Sequence, residues 1–163
     1  MQSWINTKGF HGNRLYKSLA FVLLLLPRFA FAQEFRTDAL VHFWDPEGQP
    51  LARIQVEIAD TPAARGKGLM HRLLPREDTG MLFIYPDEAL RVFWMHNTPG
   101  SLDMLFADAQ GRIRQIAAHT QPMSDQRYYS RVPAQYVLET RGGFAARHGI
   151  RTGYRFTYEE KAP

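Results

Sequence analysis

The residues best suited to chemistry fall within ten positions, Trp94-Met95-His96-Asn97-Thr98-Pro99-Gly100-Ser101-Leu102-Asp103. His96 offers an imidazole for acid or base work, or else a surface side chain at a strand end. Asp103 interrupts the apolar run Leu102–Ala107, and a carboxylate there is costly to bury without partners. It reads first as an acceptor for backbone N–H groups of the Asn97–Ser101 turn, the commoner role of a short acid. The competing reading makes it a base, a metal ligand or a ligand anchor. Asn97 suits a left-handed turn position, and its amide could join the Thr98 hydroxyl in orienting a polar ligand. Trp94, with Trp44, Tyr128 and Tyr129, could form an aromatic platform for a sugar, a peptide or an envelope component. Otherwise Trp94 is core and the tyrosines pack a long loop. Arg65 could form a buried ion pair with Asp103 or Glu139.

Other chemistries lack their residues. There is no cysteine, which removes thiol nucleophiles, disulfides and thiolate metal sites. His42, His71, His96, His119 and His148 are scattered, with no H-E-x-x-H pattern. Ser101, Ser124 and Ser130 stand in no G-x-S-x-G motif, and Gly66-x-Gly68 lacks the Lys-Ser/Thr of a phosphate loop. The expectation is therefore no metal and no cofactor.

The elements that must position these residues begin after a targeting segment. Lys8, Arg14 and Lys17 precede the apolar run Leu19–Leu26, and Ala30-Phe31-Ala32 supplies a small-residue cleavage site before Gln33. Residues 1–32 thus read as a signal peptide, and the apolar run is too short for a membrane anchor. The expected product is residues 33–163, one exported periplasmic or secreted domain that keeps no stable membrane anchor. Four of the 20 Lys and Arg residues lie in the leader and none of the 16 Asp and Glu, which leaves 16 against 16. A chain near neutrality gives no reason to expect nucleic-acid binding.

Within that domain, Phe35–Trp44 and Leu51–Ile58 alternate about the turn Asp45-Pro46-Glu47-Gly48 and read as a β-hairpin. Thr61 caps and Pro62 opens a short helix to Met70. Strands are expected at Met81–Tyr85, Val92–Met95, Leu102–Ala107, Arg112–Ala118, Ala134–Glu139 and Tyr154–Tyr158. Residues Gln121–Pro133 lack periodicity and read as a loop, and Gly142/Gly143–His148 as one or two helical turns. Strands outnumber helices and most connections are short, which predicts α+β architecture with a mainly antiparallel, curved or barrel-like sheet.

Several stretches resemble a known family. Thr61-Pro62, Arg65 and Gly68-Leu69-Met70 are similar to the helix motif of domain of unknown function 192. The likeness continues through Leu74-Pro75, Gly80-Met81-Leu82-Phe83, Phe93-Trp94-Met95, Asn97-Thr98 and Leu102-Asp103-Met104-Leu105-Phe106. Gln121-Pro122, Tyr136-Val137-Leu138-Glu139 and Gly143 with Ala145-Ala146 complete it, so that it spans about 51–156. The resemblance implies a small single domain, often exported, with a shared cluster at Asn97, Thr98 and Asp103, and it implies no activity. His96 stands where the family commonly has Lys, and Ala63-Ala64 where it has an acidic pair.

Two functional readings follow. The first is a monomeric, non-catalytic binding or accessory module. It would contact a small polar ligand or a periplasmic protein through the 94–103 turn and the 121–133 loop. Its contact residues would be Trp94, His96, Asn97, Thr98, Asp103, Tyr128 and Tyr129. The alternative is a small hydrolase-like enzyme using His96 and Asp103, with or without a metal. The missing nucleophile motifs and metal spacing decide for the first.

Overall fold

The computed structural model describes residues 34–162; the leader read over residues 1–32 lies outside them. The first two strands, β1 (Ala39–Trp44) and β2 (Pro50–Ala59), form the expected hairpin, with Ala39, Val41, Phe43, Ile54 and Val56 buried. Helix α1 (Pro62–Lys67) starts as its residues predict: the Thr61 hydroxyl accepts from the Ala64 N–H at 3.2 Å. It ends at Lys67, three residues before the end expected from sequence, and φ turns positive at Gly68.

Strand β3 (Thr79–Ala89) runs parallel to β2, the one parallel pairing in a sheet that is otherwise antiparallel. Then follow β4 (Val92–Phe93), β5 (Leu102–Ala107), β6 (Ile113–Ala117), β7 (Tyr128–Tyr129), β8 (Ala134–Arg141), α2 (Phe144–Arg147) and β9 (Arg155–Glu160). The main sheet has the order β6-β5-β8-β3-β2-β1-β9. It curves until its two edges meet at one end without closing into a barrel. There the Ile113 N–H donates to the Tyr154 carbonyl at 2.7 Å, and Phe156 N–H to Gly111 O at 2.9 Å. Gly111 has φ 72°, and a Cβ would stand 2.2 Å from the Phe156 oxygen, so only glycine lets these edges approach. The architecture is α+β, as the element pattern predicts.

Two expectations need correction. The apolar runs either side of the polar turn do not belong to one sheet: β5 lies between β6 and β8 in the main sheet, while β4 pairs with β7 in a separate ribbon. The stretch 121–133 is accordingly more than a loop, since it supplies β7. Sequence periodicity cannot detect two-residue strands, because alternation needs about four residues to register.

Every residue of β5 is buried, and successive side chains enter different cores. Leu105 and Ala107 join Val41, Phe43, Leu138 and Phe144 on one face. Leu102, Met104 and Phe106 join Phe83, Phe93, Met95 and Val137 on the other. This period of two sorts the polar residues as well. Asp103 shares the parity of Leu105 and goes to the α2 side. Glu139 shares the parity of Val137 and goes to the side covered by α1 and the β4–β7 ribbon. Among the described residues, no helix is long and apolar enough to cross a membrane.

Candidate functional site

Chain alternation in β4 sends Phe93 inward, edge-on to Phe83 at 5.0 Å and to Phe106 at 5.9 Å. Val92 and Trp94 therefore turn outward, 47% and 40% exposed. The segment beyond β6 is laced to the turn that follows Trp94. Met95 N–H donates to Ser124 O, Met123 N–H to Thr98 O, and Thr120 N–H to Leu102 O, all at 2.9–3.0 Å. Two stretches joined across 18 to 29 residues of sequence thus form one unit, and they meet at Trp94.

The Trp94 indole stacks on the His96 ring at 4.9 Å with an interplanar angle of 24°. The Arg127 guanidinium lies 5.3 Å from the indole centre, and His96 Nδ1 is 2.6 Å from Asp125 Oδ1. Trp94 is thus a partly exposed ring in contact with two polar partners, the platform reading of this residue rather than the core one. Tyr129, opposite Val92 in the ribbon, is 59% exposed. Tyr128 turns the other way, packs on the inner core, and its hydroxyl accepts from Gln121 N–H at 2.9 Å. Trp44 lies apart on β1, bonded through its indole N–H to Thr157, and is no part of this platform.

Asn97 takes φ 51° and its carbonyl accepts from His71 N–H at 2.7 Å, so it forms the turn as read. Thr98 is buried, with its hydroxyl donating to the His96 carbonyl at 3.2 Å. Asp103 departs from expectation. It is buried, and it caps a different piece of backbone from the 97–101 turn. Oδ1 accepts from His119 and Gly143 N–H, both at 2.9 Å, and Oδ2 from Ala145 N–H at 3.0 Å. It thereby anchors the start of α2 and the exit from β6. The sheet's alternation is the reason: with Asp103 on the α2 face, Trp94 and Thr98 are on the far side of β5.

Behind Trp94 a small cavity of about 40 Å³ is lined by Gly68, Phe83, Phe93, Thr98, Arg65 and Glu139, among others. Most of these belong to the stretches that carried the family resemblance. Glu139 is the residue that sequence reasoning underrated. Burial pushes its carboxyl from the ordinary 4.5 to about 8, so at neutral pH it is a carboxylic acid able to donate a proton. Its parity with Val137 in the strand Ala134–Arg141 was the available signal. Arg65 pairs with neither Asp103 nor Glu139. It donates to the Asp60 and Ile84 carbonyls and lies 4.8 Å over the Tyr85 ring, whose other guanidinium neighbour, Arg91, is at 3.8 Å. Burial raises the Tyr85 phenol above its usual value, with Arg91 and Arg65 opposing.

Among the described residues no cluster of three His, Asp or Glu is arranged to hold a metal. The arrangement can stack, hydrogen-bond and exclude water, and it offers one neutral acid beside a cavity that holds little more than water.

Comparison with known proteins agrees with this fold. A crystal structure from Sinorhizobium meliloti, described as a proposed transcription regulator, is 34% identical with a TM-score of 0.72. That match covers 77% of this chain and 95% of the other. A protein of unknown function from Novosphingobium aromaticivorans is 33% identical over 72% of this chain and 83% of its own, with a TM-score of 0.68. No curated protein matches the chain significantly. The model of the DUF192 family, described as uncharacterized, matches residues 43–158, and the chain belongs to that family.

Proposed function

We propose that the protein is an exported, non-catalytic binding module that docks a protein partner on the face built around Trp94. The carrying observation is the partly exposed indole in contact with His96 and Arg127 at the junction of the 90–98 and 121–129 stretches. Leu90, Val92 and Tyr129 extend the exposed apolar surface. Trp and Arg are among the residue types most enriched at interface hot spots. The cavity behind it is far below the 300 Å³ or so of an ordinary small-molecule pocket, which favours a partner lying across the surface.

The hydrolase-like alternative needs His96 and Asp103 to reach one substrate. His96 is engaged with Asp125 at the surface, while the Asp103 carboxylate is committed to three backbone N–H groups in the interior. The regulator description of the Sinorhizobium protein finds no support in the charge of residues 33–163, where basic and acidic side chains balance.

A peptide array probed with the wild-type protein and with Trp94→Ala tests the reading. Authentic ligands should bind the variant at least tenfold more weakly, while its melting temperature stays within a few degrees, since the ring is largely surface. Array hits with equal affinity for both proteins would sink the proposal. Export is tested separately. Protein recovered from its native host should begin at or near Gln33 by mass spectrometry, and an intact Met1 in the soluble fraction would refute the leader.

A further inference from the structure

We propose that a second cleft, remote in chemistry from the Trp94 face, binds a small organic oxyanion, a carboxylate or a phosphate ester. The cleft measures about 410 Å³, roughly ten times the cavity behind Trp94, and falls in the range of ordinary ligand sites. It lies between the stretch after α1, the head of β5 and the turn from β8 into α2. Each of two of these stretches brings arginine: Arg72 from the first, Arg141 and Arg147 from the last.

The charges there do not balance. Arg72 is held by Glu57, Nη1 donating to both carboxylate oxygens at 2.8 and 2.9 Å, and its Nη2 donates to the Gly68 carbonyl at 3.1 Å. Its Nε is buried without an acceptor. Arg147 donates through Nε to Glu77 Oε1 at 2.7 Å, and that pair is about half exposed. Arg141, the last residue of β8, is exposed and has no ion pair among the described residues. Of the three guanidiniums, Arg72 and Arg147 are paired with Glu57 and Glu77, and Arg141 alone has no carboxylate partner among the described residues.

Arginine's fork matches the oxygens of a carboxylate or phosphate, so the spare Arg141 and the exposed Arg147 define what the site selects. The Arg147–Glu77 contact already shows a carboxylate seated on this wall. Glu77 comes from the polar loop before β3 and occupies the position an incoming anion would take. Leu73, 66% exposed at the rim, supplies apolar surface for the organic part of the ligand. Gly142 packs closely on Ser101 within the lining: a Cβ there would stand 2.6 Å from Ser101 Oγ, so a side chain would disturb the cleft.

Calorimetric titration of the full protein with succinate and with inorganic phosphate, each against sodium chloride at matched ionic strength, tests the proposal. Saturable binding of either probe above the chloride control is expected, and which one binds identifies the head group. Arg141→Ala should weaken that binding at least tenfold with an unchanged melting temperature, because Arg141 has no ion pair among the described residues to lose. Glu77→Gln should tighten it, because the competing carboxylate is removed; a merely structural Arg147–Glu77 pair would give no gain. Arg141→Gln carries the same comparison should the alanine variant fail to fold. The proposal is overturned if neither probe binds above the control, if the Arg141 variant binds as wild type does, or if Glu77→Gln weakens binding.

Discussion

Asp103→Ala is expected to lower stability by about 3–5 kcal/mol, with its denaturant midpoint shifted accordingly and the slope unchanged. The magnitude follows from the donors that it abandons. His119, Gly143 and Ala145 each give an N–H to this one carboxylate, and the last two bonds are buried. Each buried donor left unpaired costs on the order of 1–3 kcal/mol, and partial relaxation keeps the total below the sum. Asp103→Asn should fall between, since one oxygen remains for two of the donors while the new amide meets the third. His96→Ala, at the surface, should cost no more than about 0.5 kcal/mol. A neutral Asp103→Ala in chemical denaturation would refute the capping role. Against a typical domain stability of about 5–15 kcal/mol, the predicted loss is large enough to be unmistakable.

Glu139→Gln is expected to do the opposite, and in a pH-dependent way. The folded carboxyl titrates near 8 and the ordinary value is 4.5. Below the ordinary value both folded and unfolded chains carry the proton, and the group adds no pH dependence. Between the two values the unfolded chain releases the proton while the fold retains it. Folding then takes up a proton, and stability falls as pH rises, by up to about 1.4 kcal/mol per unit. Above 8 both states are ionised and the penalty is complete, of order 5 kcal/mol at most. The glutamine variant lacks this slope. Urea melts at pH 4, 6 and 9 should show a wild-type deficit relative to the variant that grows with pH. Parallel profiles for the two proteins would show that burial does not hold the proton on Glu139.

The same carboxylic acid explains why the cavity behind Trp94 tolerates a glutamate at all. A charged group there would lack water, and protonation avoids the cost. Arg65 and Arg91 do not pair with it; they are turned to backbone carbonyls and to the Tyr85 ring. A protein partner that docks on Trp94 would seal this cavity further and hold the proton more firmly.

Much of the framework was legible in the residues alone, because its signals are local. Alternation in Ala39–Trp44 names the inward face directly, and Thr61-Pro62 starts a helix through bonds within four residues. In Pro50–Ala59 the alternation holds at Ile54 and Val56 but fails at Glu57, which is buried against Arg72. Asn97 forms its turn by its own backbone preference. The importance of Asp103 was equally plain, since a carboxylate in an apolar strand must find donors. Which donors it finds was not legible. They come from residues 16, 40 and 42 positions away, and only the pairing of β5 between β6 and β8 brings those N–H groups to it. The same holds for Glu139, whose titration depends on neighbours contributed by β3, β4 and α1. The sequence by itself determined most of the longer strands, the start of the first helix and the family. Tertiary structure decided which side of the sheet each polar residue serves, because a strand's alternation has meaning only once both of its faces are covered.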